Sequence, residues 1–263
     1  MTHHDNSGDS VVTSDHGTVR LVTLNRPDKR NAIDLELRVA LAESLEAAQA
    51  EPAVRCVVLS GAGGCFCAGG DISTMRRQQP EATRPRAEAA QRVIRAIWNG
   101  PKPVIAAVEG FAFGAGAALA LACDRVVAAE DVTFNTTFTA VGLAGDMGIF
   151  ASLPARVGLA RARQLMLFPD RLSGTDAHSM GLVDELVPPG ACTKRAIDAA
   201  GSIAGGPPLA LAGIKSMLAG WPRDPNAVLE DEVELQTTLF ASADFEEGVT
   251  AFHEKRAPVF RGR

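Results

Sequence analysis

Twice in this chain a run of apolar, β-branched residues ends in a glycine-rich loop that leads on toward a helix. The first is CVVLSG at 56–61, followed by GAGGCFCAGG at 61–70. The second is PVIAAVEG at 103–110, followed by GFAFGAGAALALAC at 110–123. Short uncharged runs of this kind fit strands buried on both faces of a sheet. Strand, tight loop and helix in repeated succession commit the chain to an α/β architecture. The chain's 263 residues suit one large domain of this class.

The remaining pattern fills in around these two units. Residues 11–24 alternate about a turn at Asp15, His16 and Gly17, which predicts a β-hairpin. Helical spacing of Leu35, Val39, Leu41 and Leu45 predicts a helix from Asp34 to about Gln49. Further helices are expected at 84–99, 117–123, 150–157, 160–168 and 175–180, with strands at 125–129 and 183–187. From Thr193 the pattern is helical throughout, and Asp244 with Glu247 forms a candidate capping box. The division expected is a frayed tail at 1–10, a core at 11–192 and a C-terminal helical region at 193–263.

Composition excludes several functions. Basic and acidic residues number 26 and 31, a net charge of −5, so no nucleic-acid surface is indicated. The longest uncharged stretch, 110–123, is too short and glycine-rich to span a bilayer. The start MTHHDNSGDS has neither a basic nor an apolar segment of a signal peptide. Five cysteines with no CxxC pair fit a reduced, soluble, cytoplasmic protein.

Few side chains here carry chemistry. None of His3, His4, His16, His178 and His253 has metal-ligand spacing, so no metal is expected. Cys65 and Cys67 alternate through the first loop with no histidine nearby in sequence, which favours packing. Neither loop has a dinucleotide or P-loop pattern. The loops either permit tight turns only, or together aim two main-chain N–H groups at one oxygen, an oxyanion hole. Asp146 stands alone in the apolar stretch VGLAGDMGIF. It either caps a helix or works as a base in an apolar pocket that desolvates it.

Five segments in order resemble the crotonase, or enoyl-CoA hydratase/isomerase, superfamily. They are LNRPDKRNAID (24–34), CFCAGGDI (65–72), PKPVIAAVEGFAFGAGAALALACD (101–124), GTDAHSMGLVDELVP (174–188) and SADFEEGVTAFHEKRAPVFRGR (242–263). The resemblance implies a spiral of ββα units with a C-terminal helical region that serves oligomerisation and covers CoA. Assembly as a homotrimer or dimer of trimers is implied. It implies an acyl-CoA thioester as substrate, with coenzyme A entering as part of that substrate and no other cofactor. By motif, the oxyanion donors would be the N–H groups of Gly70 and Ala115. CoA contacts would come from Lys29, Arg30, Ala68, Phe252 and Lys255, and the acyl pocket from Phe113, Ala118, Phe138, Met147 and Phe150.

Departures from the family pattern narrow the reaction. Hydratases of the family carry glutamates at the positions of Ala118 and Phe138, and neither residue here can activate water or deliver a proton. FNTTFTAVGLAGDMG at 134–148 instead resembles the branch of ring-1,2-epoxyphenylacetyl-CoA isomerase, whose acid/base is the aspartate matching Asp146. The expected activity is therefore enoyl-CoA isomerisation. The alternatives are a hydrolytic aryl-CoA dehalogenase with Asp146 as nucleophile, and a non-catalytic acyl-CoA binder.

Overall fold

The computed structural model describes residues 9–220 and 223–263. In chain order the first half holds β1 (Val11–His16), β2 (Val19–Leu24), α1 (Leu35–Ala50), β3 (Cys56–Gly61), α2 (Pro80–Trp98), β4 (Val104–Val108), β5 (Phe111–Phe113) and α3 (Ala115–Leu121). The second half holds β6 (Arg125–Ala129), β7 (Thr133–Asn135), α4 (Ile149–Leu167), β8 (Leu172–Ser173), α5 (Gly174–Ser179) and β9 (Glu185–Val187). Four helices follow: α6 (Cys192–Ala204), α7 (Pro208–Leu218), α8 (Pro225–Phe240) and α9 (Ala243–Glu254).

Six strands form the main sheet in the order β1-β2-β3-β4-β6-β9. Only β1 and β2 are antiparallel, and every later pairing is parallel. The side chains of β3, β4 and β6 are buried almost throughout, as expected of parallel strands covered on both faces. A second sheet of three short strands, β5-β7-β8, stands beyond the ends of this one. Two- and three-residue strands show no alternation, so β5 and β8 leave no sequence signal.

Several boundaries differ from the sequence expectation. The hairpin turns at Gly17–Thr18, because Asp15 and His16 pair with Arg20 and Val19 as strand residues. Helix α2 begins at Pro80 and runs through Pro85. Pro80 at the first turn forfeits no bond, and Pro85 forfeits one only. Asp34 is the N-cap of α1, accepting from the Leu37 N–H at 2.9 Å. The capping box at Asp244 is corrected: Ser242 caps α9 by accepting from the Phe245 N–H. Asp244 is buried and instead accepts from the N–H groups of Arg261 and Gly262, at 2.6 and 2.8 Å.

The expected tail, His3 and His4 included, lies outside the described residues up to position 8. Residues 9 and 10 are tied down, because both of their carbonyls accept from Asn25. Helix α6 lies on the main sheet with Cys192, Ala196 and Ala200 fully buried. No helix of the described residues is long and apolar enough to cross a membrane.

Candidate active site

The loop after β3 is shaped by the segment ahead of α1. Asn31, fully buried, donates from Nδ2 to the carbonyls of Ala62 and Cys65 at 2.9 and 2.6 Å. The Ala68 N–H donates to Arg30 O, the Ile33 N–H to Gly69 O and the Asp71 N–H to Ile33 O, at 2.7–3.0 Å. The loop is thereby tied to the turn at 30–33, with Ile33 and Gly70 forming an isolated parallel bridge, so RPDKRNAI works as scaffold.

The same loop pairs with the one after β4. The Cys67 N–H donates to Phe111 O and the Phe113 N–H to Cys67 O, both at 3.0 Å. Contact is close enough to require glycine on both sides. A Cβ on Gly69, whose φ is +98°, would stand 2.8 Å from Phe113 O and 3.8 Å from Ala115 N. One on Gly116 would stand 2.4 Å from Cys67 O. Among the described residues, neither the Gly70 N–H nor the Ala115 N–H, the first of α3, donates to a protein acceptor. Two unspent main-chain donors therefore line one hollow, a cavity of 130 Å³ that also includes Asp146 and Phe138.

Asp146 reaches this cavity from a turn that precedes α4. Met147 holds that turn, with a positive φ of 53° and a buried side chain. The expectation of a lone carboxylate in an apolar pocket is corrected. Asp146 Oδ2 accepts from Arg38 Nη2 at 2.7 Å, and the carboxylate is 37% exposed while Arg38 is 1% exposed. Arg38 comes from α1 and was not foreseen from the sequence. Arg86 of α2 lines the same cavity and was also missed. Asp146 Oδ1 and Arg38 Nε are buried with no protein partner among the described residues.

The cavity gathers Ala68, Gly70, Ala115, Phe138 and Asp146 of the sequence candidates. Four acyl-pocket candidates lie outside its lining. Ala118 is fully buried on α3, and Met147 is buried beneath the turn. Phe150 faces outward, and Phe113 packs beside Phe111 under the Arg171 guanidinium. Lys29 is half-exposed, with Nζ 3.3 Å from Asp71 Oδ2. Arg30 lies within the scaffold and is exposed. Phe252 and Lys255 sit on and just after α9, where Phe252 is exposed at the edge of a separate 520 Å³ groove between α7, α8 and α9. The carboxylate that lines that groove, Asp244, is already engaged by the Arg261 and Gly262 N–H groups.

Two negative findings simplify the site. Burial pushes the Cys67 thiol up to about 12 and raises that of Cys65, which leaves almost no thiolate at neutral pH. Among the described residues, no three His, Cys, Asp or Glu side chains group to hold a metal ion.

Main-chain donors and a carboxylate in one small cavity suit chemistry at a carbonyl in which negative charge gathers on oxygen. Known proteins give this class its family. The enoyl-CoA hydratase/isomerase family model matches residues 14–263. A Rhodobacter capsulatus protein named "Probable enoyl-CoA hydratase" is 40% identical over 92% of this chain and 94% of its own length. The 1,2-epoxyphenylacetyl-CoA isomerase of Escherichia coli is 36% identical over 93% of this chain and 95% of its own. The crystal structure of an enoyl-CoA hydratase from Polaromonas sp. JS666 superposes with a TM-score of 0.91 at 36% identity, covering 95% of this chain and 99% of that one. The chain belongs to the enoyl-CoA hydratase/isomerase family, the crotonase superfamily, and has its fold. It is an acyl-CoA enzyme of that family.

Proposed function

We propose that this enzyme isomerises an enoyl-CoA, moving a double bond from C3 to C2 or performing a related epoxide-type isomerisation, with Asp146 as the single acid/base. The observation that carries the reading is that the cavity with the Gly70 and Ala115 donors contains one carboxylate. Asp146 takes a proton from C2, and the electron pair passes to the thioester oxygen, which forms a dienolate against the two N–H groups. The dienolate is then protonated at C4 by the Asp146 carboxyl, whose proton can exchange with solvent because the group is 37% exposed, leaving the double bond at C2. Pre-aimed backbone donors stabilise the oxyanion without reorganising. Arg38 positions the carboxylate between the two carbons.

Hydration would need one group to activate water at C3 and another to deliver a proton at C2. The positions that supply these in hydratases of the family hold Ala118 and Phe138, both buried. The E. coli relative's name is that of an isomerase and the R. capsulatus relative's that of a hydratase, so the reaction is decided by assay. Purified protein is incubated with 3-enoyl and 2-enoyl CoA esters, with Asp146→Asn alongside. The reading expects isomerisation of the 3-enoyl ester, lost in the variant. Isomerisation that survives in Asp146→Asn, or hydration as the main reaction, refutes it. We also propose assembly as a homotrimer or dimer of trimers, to be measured by light scattering on the eluted protein.

A further inference from the structure

At the end of the main sheet opposite the oxyanion loops, three cations line one pocket. Parallel pairing puts Val57 of β3 beside Val104 of β4. Arg55 and Lys102, each two residues ahead of its strand's member of that pair, therefore enter the sheet side by side. Arg261, from the segment after α9, brings a third positive charge to the same pocket of 300 Å³, and no aspartate or glutamate is among its lining residues. Like charges gathered in this way repel one another, and the arrangement draws in an anion.

Among the described residues, none of the three is in an ion pair with a carboxylate; what they bond is main chain. Lys102 Nζ donates to Ala48 O at 2.8 Å and to Glu51 O, at the end of α1, which leaves one of its three N–H donors unspent. Arg55 Nη2 donates to Phe260 O at 3.1 Å. Arg261 is anchored by its backbone N–H on Asp244 Oδ1 at 2.6 Å, while its guanidinium makes no hydrogen bond to the described residues. Burial pushes the Lys102 ammonium below its ordinary value, with the field of Glu51 opposing the shift and that of Arg20 adding to it.

The rest of the pocket is apolar, with Val54, Pro101, Pro103, Pro208 and Leu209 in its walls. Its volume stands at the lower edge of the roughly 300–1,000 Å³ of small-molecule sites, so a bare ion would leave most of it empty. Three cations suit a phosphate, which carries about −1.5 to −2 charge and three acceptor oxygens. The six residues of β3 separate this pocket from the first oxyanion loop, about 20 Å along the strand.

We propose that this pocket is a second ligand site, apart from the cavity of Asp146, and that it takes a small organic phosphate. The phosphate lies among Arg55, Lys102 and Arg261, and its carbon body lies on the proline and leucine walls. The site is independent of the isomerase reading, since no step of that reaction enters the test.

Phenyl phosphate, inorganic phosphate and phenol serve as probes, titrated against the full chain in phosphate-free, low-salt buffer and followed by proton and phosphorus NMR. Phenyl phosphate is expected to bind about fivefold or more tighter than either of the other two. Arg261→Ser keeps the main-chain bond to Asp244 and is expected to weaken phenyl phosphate about fivefold or more. Adding Arg55→Met is expected to abolish binding; if that double variant unfolds at a lower temperature than wild type, Arg261→Ser alone decides. Filling the Asp146 cavity with hexanoyl-CoA is expected to leave phenyl phosphate bound. Phenyl phosphate binding no tighter than phenol overturns the proposal, and binding no tighter than inorganic phosphate overturns the organic ligand class. Affinity unchanged in Arg261→Ser, or binding that hexanoyl-CoA displaces, places the probe elsewhere and overturns the site.

Discussion

The two walls of the candidate catalytic cavity are built on opposite principles. One is made of backbone. Gly70 and Ala115 offer N–H groups fixed by ladder bonds through Asn31, Cys67 and Phe113. The other is made of side chains. Asp146, Arg38 and Arg86 arrive from a turn and two helices to line one cavity, where Arg38 and Asp146 pair. A backbone donor survives a change of its own side chain and fails when the loops are forced apart. A side-chain acid or base fails with one substitution and leaves the fold standing.

This contrast orders the expected effects of mutation. Asp146→Asn strikes the side-chain wall at its centre. Loss of an acid/base typically removes about 10²–10⁴ of rate, so kcat on a 3-enoyl ester should fall about 10³-fold with KM nearly unchanged. Steady-state kinetics check this, and a shift confined to KM would move the acid/base elsewhere.

Gly69→Ala strikes the backbone wall without touching a donor. Its Cβ would meet Phe113 O at 2.8 Å with φ at +98°. A displaced donor amide should lower kcat about 10²-fold, the scale of losing one oxyanion donor. Strained backbone of this kind costs about 1–3 kcal/mol, which denaturant unfolding would show.

Arg38→Met comes next. It frees Asp146 and should lower kcat about tenfold, with Arg38→Lys recovering part. The stability cost should stay near 1 kcal/mol, below the ~3–5 kcal/mol of a fully buried broken pair, because Asp146 is more than a third exposed. A loss as large as that of Asp146→Asn would place Arg38 in direct contact with the reacting atoms.

Ala115→Ser is the smallest. The main-chain N–H is retained, so kcat/KM should change by less than about threefold. A 10²-fold loss would break the claim that this wall acts through its backbone.

The same contrast explains what was legible in the sequence. Backbone machinery leaves a local trace, because loops that must touch need small residues in a row. Both loops and their strands could therefore be named from 61–70 and 110–116, while the choice of Gly70 and Ala115 as donors came from the family resemblance. The Asp146 turn was legible too, as the one charge in an apolar stretch. Its partner was not, since Arg38 lies 108 residues earlier in the chain. A signal existed nonetheless. Arg38 falls on the buried stripe of α1 with Leu37, Leu41 and Leu45, and Arg86 stands one turn before buried Ala89 and Ala90 on α2. A charged residue on an apolar helical stripe calls for a buried counter-ion or a ligand. Asp244 misled for a related reason. It has the spacing of a cap, but its partners, Arg261 and Gly262, fold back from the end of the chain.

Transfer of a proton from C2 by one carboxylate, against two backbone amides, is the central claim. The direct measurement is exchange at C2 in D₂O, followed by proton NMR on a 3-enoyl CoA ester with wild-type protein and with Asp146→Asn. The account predicts that wild-type protein yields the 2-enoyl ester with deuterium entering at the reacting carbons, and that the Asn variant binds the ester without exchange or isomerisation. Exchange at C2 that continues at a comparable rate in Asp146→Asn would contradict it.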